Sequence, residues 1–62
     1  MVVCYNGPAR NKKSDAKSDI TVFLMETNRY TVWTYDESKR IVDQSRMGKS
    51  ELLDTWEPID VL

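Results

Sequence analysis

A chain of 62 residues with net charge −1 is one small domain, and neither its size nor its charge points to a polyanionic partner. Its one cysteine and lack of histidine exclude an intramolecular disulfide and leave a Cys/His zinc site at most one ligand. A chain this short buries only about 60% of its unfolded surface, so self-association is the staple that remains, and a homodimer is an open expectation from size alone.

Residues 1–5, MVVCY, are β-branched and aromatic, and the turn-forming NGP follows. They predict a short first strand with Cys4 as a small buried hydrophobe. Residues 6–18, NGPARNKKSDAKS, hold almost nothing to bury and predict a long polar, basic loop. Residues 19–27, DITVFLMET, are the strongest strand signal in the chain, and YTVWTYD (residues 30–36) is a second. A two-residue turn at Asn28-Arg29 joins them naturally, since Asn tolerates the left-handed conformation of tight hairpins. That turn sets Leu24 opposite Trp33 and Val22 opposite Tyr35. Ile20, Val22, Leu24, Trp33 and Tyr35 then share one face, and Phe23, Met25, Tyr30 and Val32 the other. A one-residue slip would exchange the two sets.

Residues 36–47 can be a turn and a strand, or can start a helix capped by Asp36. The turn-rich DESK and the β-branched Ile41-Val42 favour the hairpin, and the helix stays open. After Gly48 the pattern is helical. Ser50 serves as N-cap, Leu52, Leu53 and Trp56 fall on one side, and Glu51, Asp54 and Glu57 recur every three residues. Pro58 ends this helix of about seven residues at or before Glu57. Ile59, Val61 and Leu62 predict a last strand or an ordered tail, pairing with residues 1–5 or with a second chain.

Residues 43–53, DQSRMGKSELL, raise the question of a nucleotide-phosphate loop. Gly48, Lys49 and Ser50 match its last three positions. Asp43 stands where the first glycine belongs, adding a side chain and a negative charge beside a polyanion. Only 12 residues follow Ser50, too few for the βαβ units of ~30 residues that the loop serves. Gly48 is better read as closing a loop, Lys49 as solvated and Ser50 as a cap.

Catalytic chemistry has no foothold. With no histidine, acid–base work falls to carboxylates, and Asp36, Glu37 and Asp43 are explained by the turn they flank. None of the serines has a base beside it. No spacing resembles a calcium loop. No enzyme activity, metal or cofactor is expected. Residues 1–10 lack the long apolar region of a signal peptide and no run nears the ~20 apolar residues of a membrane helix. A lone cysteine suits a reducing compartment. A cytoplasmic protein without membrane contact is expected.

Two binding modes remain. A single-stranded nucleic-acid binder needs a basic groove and stacking aromatics. Arg10, Lys12, Lys13 and Lys17 on the loop, with Tyr30 and Trp33 on the strand, are its candidates. A protein binder needs aromatic anchors and a complementary rim. Trp33, Tyr35 and Trp56, with Glu51, Asp54 and Glu57, are its candidates. The near-zero net charge and the acidic C-terminal stretch favour the protein partner.

Thr34–Ser38, TYDES, resembles a hairpin of small phage inhibitors of uracil-DNA glycosylase. The resemblance covers five residues of a common turn type, and no site residue is carried over from it. Small, cysteine-poor domains without catalytic groups are also the kind that phages and mobile elements use against host enzymes, an analogy of kind. The expectation is an α+β domain spanning residues 1–62: an antiparallel sheet of three or four strands with one short C-terminal helix. Its core is Val3, Ile20, Val22, Leu24, Val32, Trp33, Tyr35, Ile41, Leu52, Leu53 and Trp56. Its function is that of a non-enzymatic protein-binding inhibitor or regulator of a host protein.

Overall fold

The computed structural model describes residues 1–59. Five strands and one helix follow in the order β1 (Val2–Asn11), β2 (Lys17–Glu26), β3 (Arg29–Tyr35), β4 (Ile41–Met47), α1 (Lys49–Thr55) and β5 (Trp56–Pro58). They form one antiparallel sheet, ordered β4-β3-β2-β1-β5, so the sheet has five strands where three or four were expected. No helix among the described residues is long and apolar enough to cross a membrane.

The order of the strands decides which face becomes the core. β1 to β4 meander across the sheet, and β5 must then return to the far edge of β1. Four gaps of ~4.8 Å separate the outer strands of a flat sheet, about 19 Å. A seven-residue helix covers only about 10 Å, so the sheet must bend toward the side that α1 crosses. Three bulges help it curl, between Val3 and Tyr5, between Leu24 and Glu26, and where Thr34-Tyr35 meets Asp43 and Ile41. The concave face holds Ala9, Ile20, Val22 and Val32, all buried, with Tyr5, Tyr30, Met47, Leu52 and Trp56 packed against them.

The β2–β3 hairpin departs from its expected register. Leu24 faces Tyr30 and Val22 faces Val32, because the turn lies at Thr27-Asn28 and Met25 is bulged out of the ladder. Asn28 takes the left-handed conformation at φ 59°. Its side-chain oxygen also accepts from the Lys49 N–H at 3.0 Å. The tip of one hairpin thereby holds the start of α1. The shift is an odd number of residues, so the faces of β3 are exchanged. Val32 and Tyr30 turn to the core, while Trp33 and Tyr35 turn away from it.

The long polar loop shrinks to residues 12–16. β1 runs on through Asn6-Gly7-Pro8 to Asn11, because Gly7 and Ala9 are small enough for the core side and β2 offers ten residues to pair with. Ala9 is fully buried there. Asn11 closes the turn by accepting from the N–H groups of Lys13 and Ser14. The hairpin alternative holds for residues 36–47: Asp36 accepts from the N–H groups of Ser38 and Arg40, and β4 follows.

Five further expectations are corrected. Gly48, not Ser50, is the N-cap, and it makes no side-chain capping bond. Trp56 lies past the helix as the first residue of β5, with its N–H bonded to the Leu52 carbonyl. Val3, Ile41 and Leu53 are exposed and leave the core, and Phe23 and Ala9 are buried without having been expected there. Cys4 is exposed, since it is the extra residue of the β1 bulge. The last described strand pairs with Ala9, Arg10 and Asn11, not with residues 1–5. The expectation for Val61 and Leu62 lies outside the described residues.

Candidate protein-binding face

The convex face of the sheet carries no covering layer among the described residues. Cross-strand pairing sets its rows: Val3, Phe23, Thr31 and Arg46 in one, then Asn6, Thr21, Trp33 and Gln44, then Pro8, Asp19 and Tyr35. Phe23 and Trp33 meet edge to face, with ring centroids 4.5 Å apart and planes at 63°. The contact buries Phe23 and leaves Trp33 half-buried. Thr21 is held by a side-chain network: its hydroxyl accepts from Asn6 Nδ2 at 2.8 Å and shares a proton with the Tyr35 hydroxyl at 2.8 Å. Thr31, one row away, is 8% exposed and its Oγ1 has no hydrogen-bond partner among the described residues. A buried hydroxyl left without a partner is uncommon and destabilising. A shallow cavity of about 210 Å³ opens above it, walled by Met1, Phe23, Met25, Trp33 and Arg46.

Charge on this face is largely cancelled internally. Asp19 accepts from Lys39 Nζ at 2.6 Å, and that hydrogen bond, then the charge of Asp19, raises the Lys39 pKa above its ordinary 10.5. Glu26 lies 3.4 Å from Arg29. Arg46 is exposed and makes no ion pair among the described residues.

No family model, curated protein or solved structure matches this chain.

The residues singled out from sequence fall on three surfaces. Trp33 and Tyr35 lie on the convex face. Glu51 and Asp54 are exposed on α1, and Trp56 is half-buried against the core on the opposite side. Glu57 sits at the sheet edge and accepts from Arg10, which also donates to Asp15 at 2.8 Å. The basic loop and the acidic C-terminal stretch, far apart in sequence, thus meet. The hydrogen bonds to Asp15 and then Glu57 raise the Arg10 pKa. Lys12 is also engaged, with its Nζ on the Leu53 carbonyl at 2.8 Å and its N–H on Thr55. Lys13 and Lys17 are exposed, while Tyr30 packs against the core cluster. The candidate nucleic-acid set is therefore not gathered beside Trp33.

Phe23, Thr31, Gln44 and Arg46 were not selected from sequence. Their signal is parity with Trp33 across three strands, which becomes legible only once the register is known. A second concavity of about 280 Å³ lies between α1 and the sheet, lined by Tyr5, Tyr30, Leu52, Leu53 and Trp56. It is apolar and continuous with the core. No group of three or more Asp, Glu, Cys or His side chains gathers among the described residues.

Proposed function

We propose that this chain is a non-enzymatic protein-binding domain, an inhibitor or regulator that docks through the convex sheet face centred on Trp33. The observation that carries this is the sheet's one-sidedness. The core fills one face, and the other still presents a tryptophan, a phenylalanine and two methionines around a cavity. Aromatics and methionines concentrate at the centres of protein interfaces. The rim carries mixed and mostly paired charge, which suits a protein surface better than a phosphate backbone. Two of the four loop cations are also tied to the C-terminal stretch. A small phage or mobile-element inhibitor of a host enzyme is the biological form we favour.

The test is capture of a partner from host lysate by the wild-type domain and by Trp33→Ala, with folding of both checked by circular dichroism. Loss of a specific captured protein in folded Trp33→Ala supports the face. Capture that is indifferent to Trp33 but abolished by reversing Asp54 would place binding on α1 instead. Steeply salt-dependent binding of a single-stranded oligonucleotide, weakened by Lys12→Ala and Lys13→Ala, would replace the protein reading.

A further inference from the structure

The convex-face cavity has a more specific chemistry than an apolar patch. Its volume of about 210 Å³ is below the ~300–1,000 Å³ of pockets that enclose a whole small-molecule ligand. It suits one inserted side chain. Its walls are Phe23, Trp33 and two methionines, which adapt to apolar shapes. Thr31, whose buried hydroxyl has no partner among the described residues, lines its floor, and Arg46, without an ion pair among the described residues, lines its rim. Neither polar group finds a partner among the described residues. They sit in one cross-strand row, Phe23 opposite Thr31 and Thr31 opposite Arg46. The Thr31 oxygen is closed to solvent in this structure, so a partner reaches it by displacing one of the cavity's side chains, and Arg46, long and exposed, stands directly across the strand from it.

We propose that this cavity receives one large apolar side chain of the partner, next to a partner carboxylate that pairs with Arg46 and a polar group that satisfies Thr31. The partner is thus an acidic protein segment with a single apolar anchor. This rests on the docking-face reading above. Charge complementarity selects the peptide over a polynucleotide. A single carboxylate needs one cation, whereas a phosphate chain needs several, and the neighbouring Arg29 already faces Glu26. An arginine also matches a carboxylate with two parallel hydrogen bonds.

The two tryptophans give an internal control, since Trp33 lies on the convex face and Trp56 packs on the concave side. The probe is the peptide acetyl-Glu-Phe-Asp-amide, compared with acetyl-Lys-Phe-Lys-amide and with oligothymidylate. Each is titrated into the isotope-labelled domain and followed by NMR. The acidic peptide should shift the Trp33 indole signal and the Thr31 and Arg46 amides, and leave the Trp56 indole in place. Affinity should fall about tenfold in Arg46→Glu and with the lysine peptide. Thr31→Val should also bind more weakly while remaining folded.

Equal affinity for the acidic and lysine peptides would overturn the proposal. So would oligothymidylate binding this face more tightly than the acidic peptide. A third refutation is the absence of any Trp33 shift with peptide while lysate capture still depends on Trp33. That last result would remove the cavity assignment and leave the docking face standing, so the two failures are distinguishable.

Discussion

Replacing Thr31 by valine should stabilise the domain. The change is nearly isosteric and keeps the β-branch that suits a strand. It removes a hydroxyl that is buried and has no partner among the described residues. Leaving such a group unmet costs about 1–3 kcal/mol, which the variant recovers. A chain of this size has a total stability of about 3–9 kcal/mol at the usual 0.05–0.15 kcal/mol per residue, so the gain is a sizeable fraction of the whole. Each kcal/mol should raise Tm by about 4–8 °C. The control is the same substitution at Thr21, on the same face and also buried. Its hydroxyl bonds both Asn6 and Tyr35. Asn6 is exposed and Tyr35 half-buried, so both can turn to water, and the loss should be near the low end, about 1 kcal/mol. Urea denaturation with an unchanged m-value reads both variants. Opposite signs are expected from one chemical change. If Thr31→Val destabilises as much as Thr21→Val, the Thr31 hydroxyl is satisfied in solution and the cavity floor is not the polar gap described here.

At Asn28, glycine keeps the left-handed backbone and loses only the bond to Lys49, whereas alanine loses both. Asn28→Gly should therefore lie between wild type and Asn28→Ala, with alanine about 1 kcal/mol below glycine, and the Lys49 amide should exchange faster in both; equal stability of the two variants would count against the strained turn. Adding a methyl at Gly7 brings it 3.1 Å from the Tyr5 hydroxyl. Gly7 also sits at φ 157°, where L side chains are rare, so Gly7→Ala should destabilise by about 1–3 kcal/mol through backbone strain and displacement of Tyr5, and an unaffected melting curve would contradict that backbone conformation. The Cys4 thiol should react with a thiol reagent in the native state as fast as in urea; strong native protection would restore the buried position expected from sequence. Because Asp19 raises the Lys39 pKa, their pair contributes stability below the unfolded lysine value, and the contribution is lost as pH rises through the higher folded value. The stability difference between wild type and Lys39→Gln should accordingly be present at neutral pH and, on the alkaline side, vanish beyond 10.5; a difference that disappears near neutrality would refute the pairing.

What could be read from the residues alone is local. The alternation and β-branching of residues 19–27 and 30–36 place two strands, DESK places a turn and ELLDTW places a helix, because these preferences act within a few residues. The absence of histidine and the single cysteine limit metal and disulfide chemistry without any structure. Polar composition alone misjudged residues 6–11, whose strand is sustained by a long partner and by the burial of Ala9. The identity of the exposed face was not legible either. It hangs on an odd shift in one turn, where Asn28 prefers to hold α1 and Met25 leaves the ladder. Side chains alternate across a strand, so that shift moved Trp33 and Tyr35 from core to surface at once. Tertiary structure alone decided that face, because only the return of β5 to the edge of β1 forces α1 across one side of the sheet and leaves the other open.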